Sequence, residues 1–467
     1  KEKIKMRRFL LVIALVILGL NLNAQSTIID YDGYSLKFTV TNESAAECCV
    51  SCSTIPTVET ELTLPSSVTI EGATYNVTSI EDYGFHECEK FVGDLVIPNS
   101  VTEIGDRAFR NCTGFNGTLT LSEDSESIGE MAFGGGSYTV MNFTGKLTIP
   151  NSLEYIGTSV FQNCAGFTSL EFEEDSQLAS FSDYAFFSCT GLSGELIIPN
   201  SVTVINYVSF YGCTGLASVR IPNSVTTIED AAFNRCSGIV TINIPNSVTT
   251  IGNEVLVYCE NLESVIFDDN MQIEYFSEYF LAGCAKLKTI EIPESVRVLK
   301  NGAFYLCYGL ENIEIPSGVI GVGTDAFNGC SSLSYIKCYP EMVPILGADV
   351  FIDCLSDMKI YVPDVSVEAY KAAPQWNDFT ILPMSVGVIS FDSDDESAFN
   401  VYPNPTSANA PINLGATFDR VEVYNAAGAK VAEYRETDNI TGIETSGVYF
   451  IKAVADDKVR TCRIVVK

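Results

Sequence analysis

Sixteen cysteines and one histidine are the side chains of this protein best suited to nucleophilic, redox or metal chemistry. Cys164, Cys189, Cys213, Cys236, Cys259, Cys284, Cys307, Cys330 and Cys354 follow one another at intervals of 23 to 25 residues. With Cys88 and Cys112 they make eleven thiols at one repeated position beside a Phe or its equivalent. Thiols stacked in parallel point their Cβ vectors the same way, which suits a disulfide poorly even where the Cα spacing permits one. The column therefore reads as buried thiols packed as small apolar groups. Cys338 stands one residue before Tyr339, which replaces the proline of its repeat, and so reads as another inward position.

Cys48, Cys49 and Cys52 lie outside this series. Cys49-x-x-Cys52 with Cys48 or His86 offers zinc-ligand types, and the pair has redox spacing. A second Cys-x-x-Cys at finger spacing and a βαβ pattern are both missing, so a local disulfide in an N-terminal cap is the expectation. His86 sits in Phe85-His86-Glu87-Cys88, where the pattern predicts an exposed position beside the cysteine. A Ser-His-Asp or Cys-His site would have to form around it without a nucleophile-elbow motif. Carboxylate pairs for glycoside hydrolysis are available among 59 Asp and Glu residues, but a shallow repeated surface provides no pocket for them. The reading is a protein that is not an enzyme, with no catalytic residue, metal or cofactor assigned.

The elements that carry the thiols are equally periodic. One unit runs Leu216, Val219, Ile221, Pro222, Asn223, Ser224, Val225, Ile228, Ala232, Phe233, Cys236. The next answers with Ile239, Ile242, Ile244, Pro245, Asn246, Ser247, Val248, Ile251, Val255, Leu256, Cys259. Twelve such units close at Cys88, Cys112, Gly136, Cys164 and onward to Cys354, the third having lost its cysteine. Apolar residues three and one before the proline, with a free residue between, predict a short strand with one buried face. Pro222 ends the strand and Asn-Ser starts a turn. The Ala-Phe-x-x-Cys stretch predicts one helical turn with Phe and Cys facing the core. So short a unit has no room for strand, full helix and two loops. It cannot bury its apolar face alone either, so units must stack into a β-rich array with little helix.

This unit resembles the BspA-like leucine-rich repeat, whose consensus is approximately Leu-x-x-Ile-x-Ile-Pro-x-Ser-Val-x-x-Ile-x-x-x-Ala-Phe-x-x-Cys. The units ending at Cys213, Cys236, Cys307 and Cys330 match it closely, and the resemblance covers roughly residues 60 to 380. It implies a leucine-rich repeat solenoid, horseshoe-like but poor in helix. It also implies a surface or secreted protein that engages other macromolecules, often adhesively.

The two ends add targeting. Met6, Arg7 and Arg8 precede an apolar run from Phe9 to Leu20, followed by Asn21-Leu22-Asn23-Ala24, which predicts a signal peptide over 1–24. An N-terminal cap is expected over 25–74, the array over 75–358, and an aromatic closing cap with Tyr370, Trp376 and Phe379 over 359–383. Residues 384–398 read as an acidic linker; Asp392, Asp394, Asp395 and Glu396 lack the glycine and terminal glutamate of a calcium hand. Residues 399–467 alternate as short strands between turns, a small β-sandwich. Tyr402-Pro403-Asn404-Pro405, Gly428 and Gly447-Val448-Tyr449 make this segment similar to the C-terminal sorting domain of type IX secretion substrates. The resemblance implies the type IX machinery as a partner and a destination in the medium or on the outer-membrane surface of a Gram-negative cell. The apolar run of the signal peptide is too short to span a bilayer comfortably, so a mature chain without a transmembrane anchor is expected.

The formal charge is −32 at pH 7, and removing residues 1–24 with their five basic groups and one acidic group lowers it to −36. Such a surface repels nucleic acid and anionic lipid and leaves basic protein patches or divalent cations as plausible partners. With the family resemblance, the expected partners are extracellular host or bacterial proteins or glycans. The outward strand positions lie four and two before the proline: Ser218 and Arg220, Thr241 and Asn243, Ser264 and Ile266, Thr289 and Glu291, Asn312 and Glu314, Tyr335 and Lys337. They vary between units as a non-periodic ligand requires, and they form the expected binding face. A structural surface-layer component without a specific ligand is the competing class, and a glycan-processing enzyme the third.

Overall fold

A computed structural model describes residues 25–384, 401, 409–425, 430–441, 443, 445–455 and 458–466. The chain divides into two compact units, Lys1–Leu333 with Pro344–Leu355, and Ser334–Val343 with Ser356–Lys467. The predicted signal peptide, nearly all of the predicted acidic linker, and Tyr402 to Pro405 lie outside the described residues.

The first unit is a β-solenoid. At its N-terminus Ser26–Tyr31 pairs antiparallel with Tyr34–Asn42, which pairs antiparallel with Glu47–Thr54. Glu47–Thr54 then pairs in parallel with Ala73–Ile80, and from there the coil proceeds by parallel pairing. Most turns lay down a longer strand, which in several of them ends just before a proline. Gly194–Ile197, Leu216–Arg220, Thr241–Ile244 and Ser264–Phe267 form one such parallel sheet. The register sets Val219 beside Ile242 and Ile242 beside Val265. Alternation buries these residues and turns Arg220, Asn243 and Ile266 outward.

A second row of strands was not legible in the repeat. After the Pro-Asn-Ser corner, two-residue strands at Val204–Ile205, Thr227–Ile228 and Thr250–Ile251 pair in parallel. Serine and threonine hydroxyls tie this corner to the preceding turn: Ser224 donates to the Val202 carbonyl at 2.7 Å, and Thr226 to that of Thr203 at 3.4 Å.

The third side of the coil departs from the expected helical turn. Val208, Phe210 and Gly212 donate their N–H groups to Asp230, Ala232 and Asn234 of the next unit, at 3.0, 3.0 and 2.8 Å. The intervening Ser209, Tyr211 and Cys213 donate within their own unit, each to the residue three before. Alternation of this kind requires left-handed backbone twice per turn, and Val208, Ala231, Arg235, Glu254 and Tyr258 have φ between 54° and 59°. A helical turn would satisfy its own donors and offer none to its neighbour. The stack needs bonds between units, and these offset the roughly 1–2 kcal/mol that a left-handed L-residue costs.

Inside the turn side runs a column of rings. Phe161, Phe186, Phe210 and Phe233 stack with centroids 5.2 to 5.6 Å apart. Leu256 and Leu281 interrupt the column before Phe304, Phe327 and Phe351 resume it at 5.3 and 5.8 Å. Gly215 and Gly238 sit where consecutive units touch most closely. A Cβ at Gly238 would lie 2.4 Å from the Thr214 carbonyl oxygen, so only glycine fits.

In the second unit, Tyr335–Cys338, Lys359–Val362 and Thr380–Pro383 form parallel pairs. Val367–Ala372 is the one α-helix among the described residues. Tyr370 and Trp376 are buried edge to face at 5.3 Å, and the Tyr370 hydroxyl donates to the Pro340 carbonyl at 2.9 Å. Cys338 is buried, its sulfur 3.3 Å from that hydroxyl. The C-terminal strands Ile412–Asn425, Lys430–Ile440, Gly447–Ala455 and Lys458–Val466 make one antiparallel sheet. The expected small sandwich takes the form of a half-barrel around Phe418, Val421, Val423, Ile451 and Ile464.

Candidate functional site

Parallel, in-register stacking converts the outward strand positions into rows. Ser218, Thr241 and Ser264 lie side by side in one row, and Arg220, Asn243 and Ile266 in the next. Adjacent members are one strand spacing apart, about 4.8 Å. A second block joins Thr289 to Asn312, whose side chains meet at 3.1 Å, and Glu291 to Glu314 across a bridge. Tyr335 and Lys337 belong to the second compact unit, beside Lys359 and Tyr361. Arg220 carries a partner that the repeat did not reveal. Its guanidinium donates to both carboxylate oxygens of Glu195 on the preceding strand, at 2.8 and 3.3 Å. Lys146 and Glu171 make a similar rung at 2.9 Å.

The turn side holds a second set of outward residues. Phe187 and Tyr211 stack at 5.1 Å, while Tyr184 meets Tyr207 edge to face at 5.3 Å. Arg235 lies over the Tyr258 ring at 4.9 Å, and Tyr279 meets Tyr305 at 6.1 Å. The signal was present in the sequence within two residues of the Phe of Ala-Phe-x-x-Cys or its Leu equivalent, where Tyr184, Phe187, Tyr211, Tyr258, Tyr279 and Tyr305 all fall.

The thiol column does more than fill space. In ten successive cases from Cys112 to Cys354 the thiol donates to the backbone carbonyl of the Phe or Leu one unit earlier, at 2.8 to 3.4 Å. Cys236, for example, bonds Phe210 and Cys259 bonds Phe233. Burial disfavours the thiolate and pushes Cys189, Cys236 and Cys307 up to about 12. These sulfurs are protonated donors at neutral pH, and they add a second hydrogen bond to carbonyls such as that of Phe210, which already accepts the Cys213 N–H at 3.2 Å.

The N-terminal cysteines behave differently from the expectation. Cys48, Cys49 and Cys52 are free thiols on the single strand Glu47–Thr54. Along a strand, Cys49 and Cys52 are about 10 Å apart, and adjacent Cys48 and Cys49 point to opposite faces. A disulfide needs Cα atoms within about 7 Å, so no bridge forms inside this trio. The Cys49 sulfur instead lies 3.1 Å from Glu81 Oε1 and 3.5 Å from the Thr39 carbonyl. Among the described residues no group of three His, Cys, Asp or Glu side chains converges on a common metal position. His86 is half-buried rather than exposed, packed edge to face on Tyr83 at 5.6 Å with Nε2 3.7 Å from Glu87.

Of the expected sorting-motif residues, Tyr402, Pro403, Asn404, Pro405 and Gly428 lie outside the described residues. Gly447 opens the strand Gly447–Ala455, and Tyr449, two residues on, is buried in the half-barrel core. Its hydroxyl donates to the Thr445 carbonyl at 3.0 Å. Among the described residues no helix is long and apolar enough to cross a membrane.

A secretion system C-terminal sorting domain matches residues 400–467, so the chain carries an export tail of the type IX kind. No curated protein matches the chain. Among solved structures, a leucine-rich repeat protein from Bacteroides ovatus is 23% identical, with 76% of this chain and 99% of that chain covered at a TM-score of 0.54. That likeness shows the fold. A leucine rich cell surface protein from Faecalibacterium prausnitzii is 24% identical over 67% of this chain and 94% of its own, TM-score 0.39. A leucine-rich repeat protein from Eubacterium ventriosum is 19% identical over 70% and 95%, TM-score 0.41. The BspA type leucine rich repeat region matches in overlapping stretches from residue 65 to 373. Because that span exceeds half of the 467 residues, the chain belongs to the BspA type leucine rich repeat family.

Proposed function

We propose that this exported repeat protein acts by binding rather than turnover, its outward strand rows engaging extracellular proteins or glycans in an adhesive role. One observation carries the reading: side chains of varied chemistry occupy strictly periodic, exposed rows. Arg220, Asn243 and Ile266 are a cation, an amide and an apolar group at one repeated position. A surface that only had to stack and stay soluble has no use for that variety. The turn-side aromatics are the weaker candidate, because Phe187 and Tyr211 spend ring faces on each other. Rows of neighbouring outward side chains repeated along one face suit a macromolecule better than a small substrate.

The test is binding of the purified protein to immobilised extracellular-matrix proteins and glycans across a salt series. Arg220 must be altered with its partner, so the informative variant is Arg220→Glu with Glu195→Arg, combined with Glu291→Lys. A saturable interaction weakened at least several-fold by that triple change supports the reading. Binding that ignores the change, or none to any of the probes, assigns the face to a surface-layer role.

A further inference from the structure

Cys88 opens the thiol column, and it differs from the ten that follow. Each later thiol finds a carbonyl in the unit before it, but Cys88 lies in the first unit, with no preceding Phe of that kind to bond. Its own carbonyl contact, to His86, is long at 3.9 Å. What faces its sulfur is the thiol of Cys52, brought across by the cap strand Glu47–Thr54. The Cys52 N–H donates to the Gly84 carbonyl at 2.7 Å, which docks the strand against the turn that leads into Cys88. The Cys52 thiol also lies 3.3 Å from the Thr54 carbonyl.

We infer that Cys52 and Cys88 are a disulfide-forming pair that fastens the N-terminal cap to the first repeat once the chain reaches an oxidising compartment. Three features separate this pair from every other thiol couple described. Among the described residues it is the one in which a column cysteine hydrogen-bonds a sulfur from outside the column. Cys52 is half-exposed while Cys88 is buried, so an oxidant can reach one sulfur and the second is delivered internally. The bond also sacrifices no S–H donor bond to a core carbonyl of a preceding unit, whereas oxidation of Cys213 with Cys236 would remove two.

The chemistry is ordinary thiol–disulfide exchange with a protein or small-molecule disulfide as the oxidant. The hydrogen bond from the Cys88 thiol holds Cys52 below the usual thiol range, which makes Cys52 the attacking thiolate. It displaces one thiolate from the donor and forms a mixed disulfide. The Cys88 proton leaves to that departing thiolate. The Cys88 sulfur then attacks Cys52 and releases the second donor thiolate, which takes up the proton Cys52 gave up. Two S–H bonds become one S–S bond, and the donor disulfide is reduced to two thiols. Closing a loop between the cap and the first unit restricts the unfolded chain and suppresses fraying at the end of the solenoid.

The test uses the full chain, reduced and then equilibrated with oxidised and reduced glutathione, alkylated, proteolysed and analysed by mass spectrometry. The expected result is a peptide pair joining Cys52 to Cys88, lighter by two hydrogens and lost on reduction. Cys52→Ser abolishes the link, while Cys49→Ser leaves it intact. Resistance of the cap to proteolysis should rise on oxidation in the parent protein and in the Cys49→Ser variant only. Alkylation of both Cys52 and Cys88 after unfolding of the oxidised sample would overturn the inference, as would a link from Cys52 to any other cysteine.

Discussion

The strand side and the turn side of the solenoid solve one problem with opposite backbones. Both must hand hydrogen bonds from each unit to the next. On the strand side the residues from Thr241 to Ile244 do so with extended backbone, pairing in parallel with Ser264–Phe267. On the turn side Val208, Phe210 and Gly212 do so with left-handed residues at the two ends of the triplet. The strand side exposes groups of varied chemistry, from Arg220 and Asn243 to Ile266, whereas the turn side buries Phe and Cys and exposes aromatics. The contrast teaches that a repeat can be sheet-like in its bonding without being sheet-like in its dihedrals. The thiol is then the accessory of the turn side, supplying a second donor to carbonyls that already accept an N–H within their own unit.

The largest expected effect separates the two sides by pH. The buried thiols of the turn side titrate near 12, against an ordinary value of 9.0, while the strand side has no buried titratable column. With folded values raised above unfolded ones, stability is full below pH 9 and falls as pH climbs toward 12, because only the unfolded chain releases protons in that window. Each such thiol contributes a slope of about 1.4 kcal/mol per pH unit. Denaturant midpoints followed by circular dichroism from pH 8 to 11 should fall steeply, and a flat profile would break the assignment.

A smaller effect isolates the donor role. Cys236→Ala removes the S–H donor from the Phe210 carbonyl, which keeps the Cys213 N–H, and should cost about 0.5–1.5 kcal/mol. Cys236→Ser keeps a hydroxyl donor at the same place, so urea denaturation should show it to be the less damaging change. If the column were apolar packing alone, serine would be the worse of the two.

The smallest effect is one of sign. Glu254 has φ 58°, so Glu254→Gly relieves a left-handed residue and should be neutral or stabilising by up to about 1 kcal/mol. Thr241→Gly on the strand side removes a side chain from extended backbone and should destabilise by about 0.5–1 kcal/mol. Matching signs in thermal denaturation would erase the distinction between the sides.

Much of this was readable in the chain. The inward places of Val219, Ile221, Phe233 and Cys236 followed from which residues recur, and the outward places of Arg220 and Asn243 from which do not. The candidate face was legible as a set of positions, but its pairings were not. Nothing local marks Glu195 as the partner of Arg220, 25 residues away. The expected helical turn at Ala-Phe-x-x-Cys failed because three-residue spacing of Phe and Cys suits a double turn as well as a helix. A bridge within the trio Cys48, Cys49 and Cys52 is ruled out because all three lie on one strand rather than in a turn.

By itself the sequence determined the unit, its length, its buried set and its export tail, since all of these are written in recurrence and in short motifs. The tertiary structure alone decided who bonds to whom between units. The S–H donors meeting Phe carbonyls, the left-handed turn ladder, the second row of strands, and the meeting of Cys52 with Cys88 all join residues separated by a full repeat or more. Such partners are set by stacking register, a property of neighbouring turns that no single turn encodes.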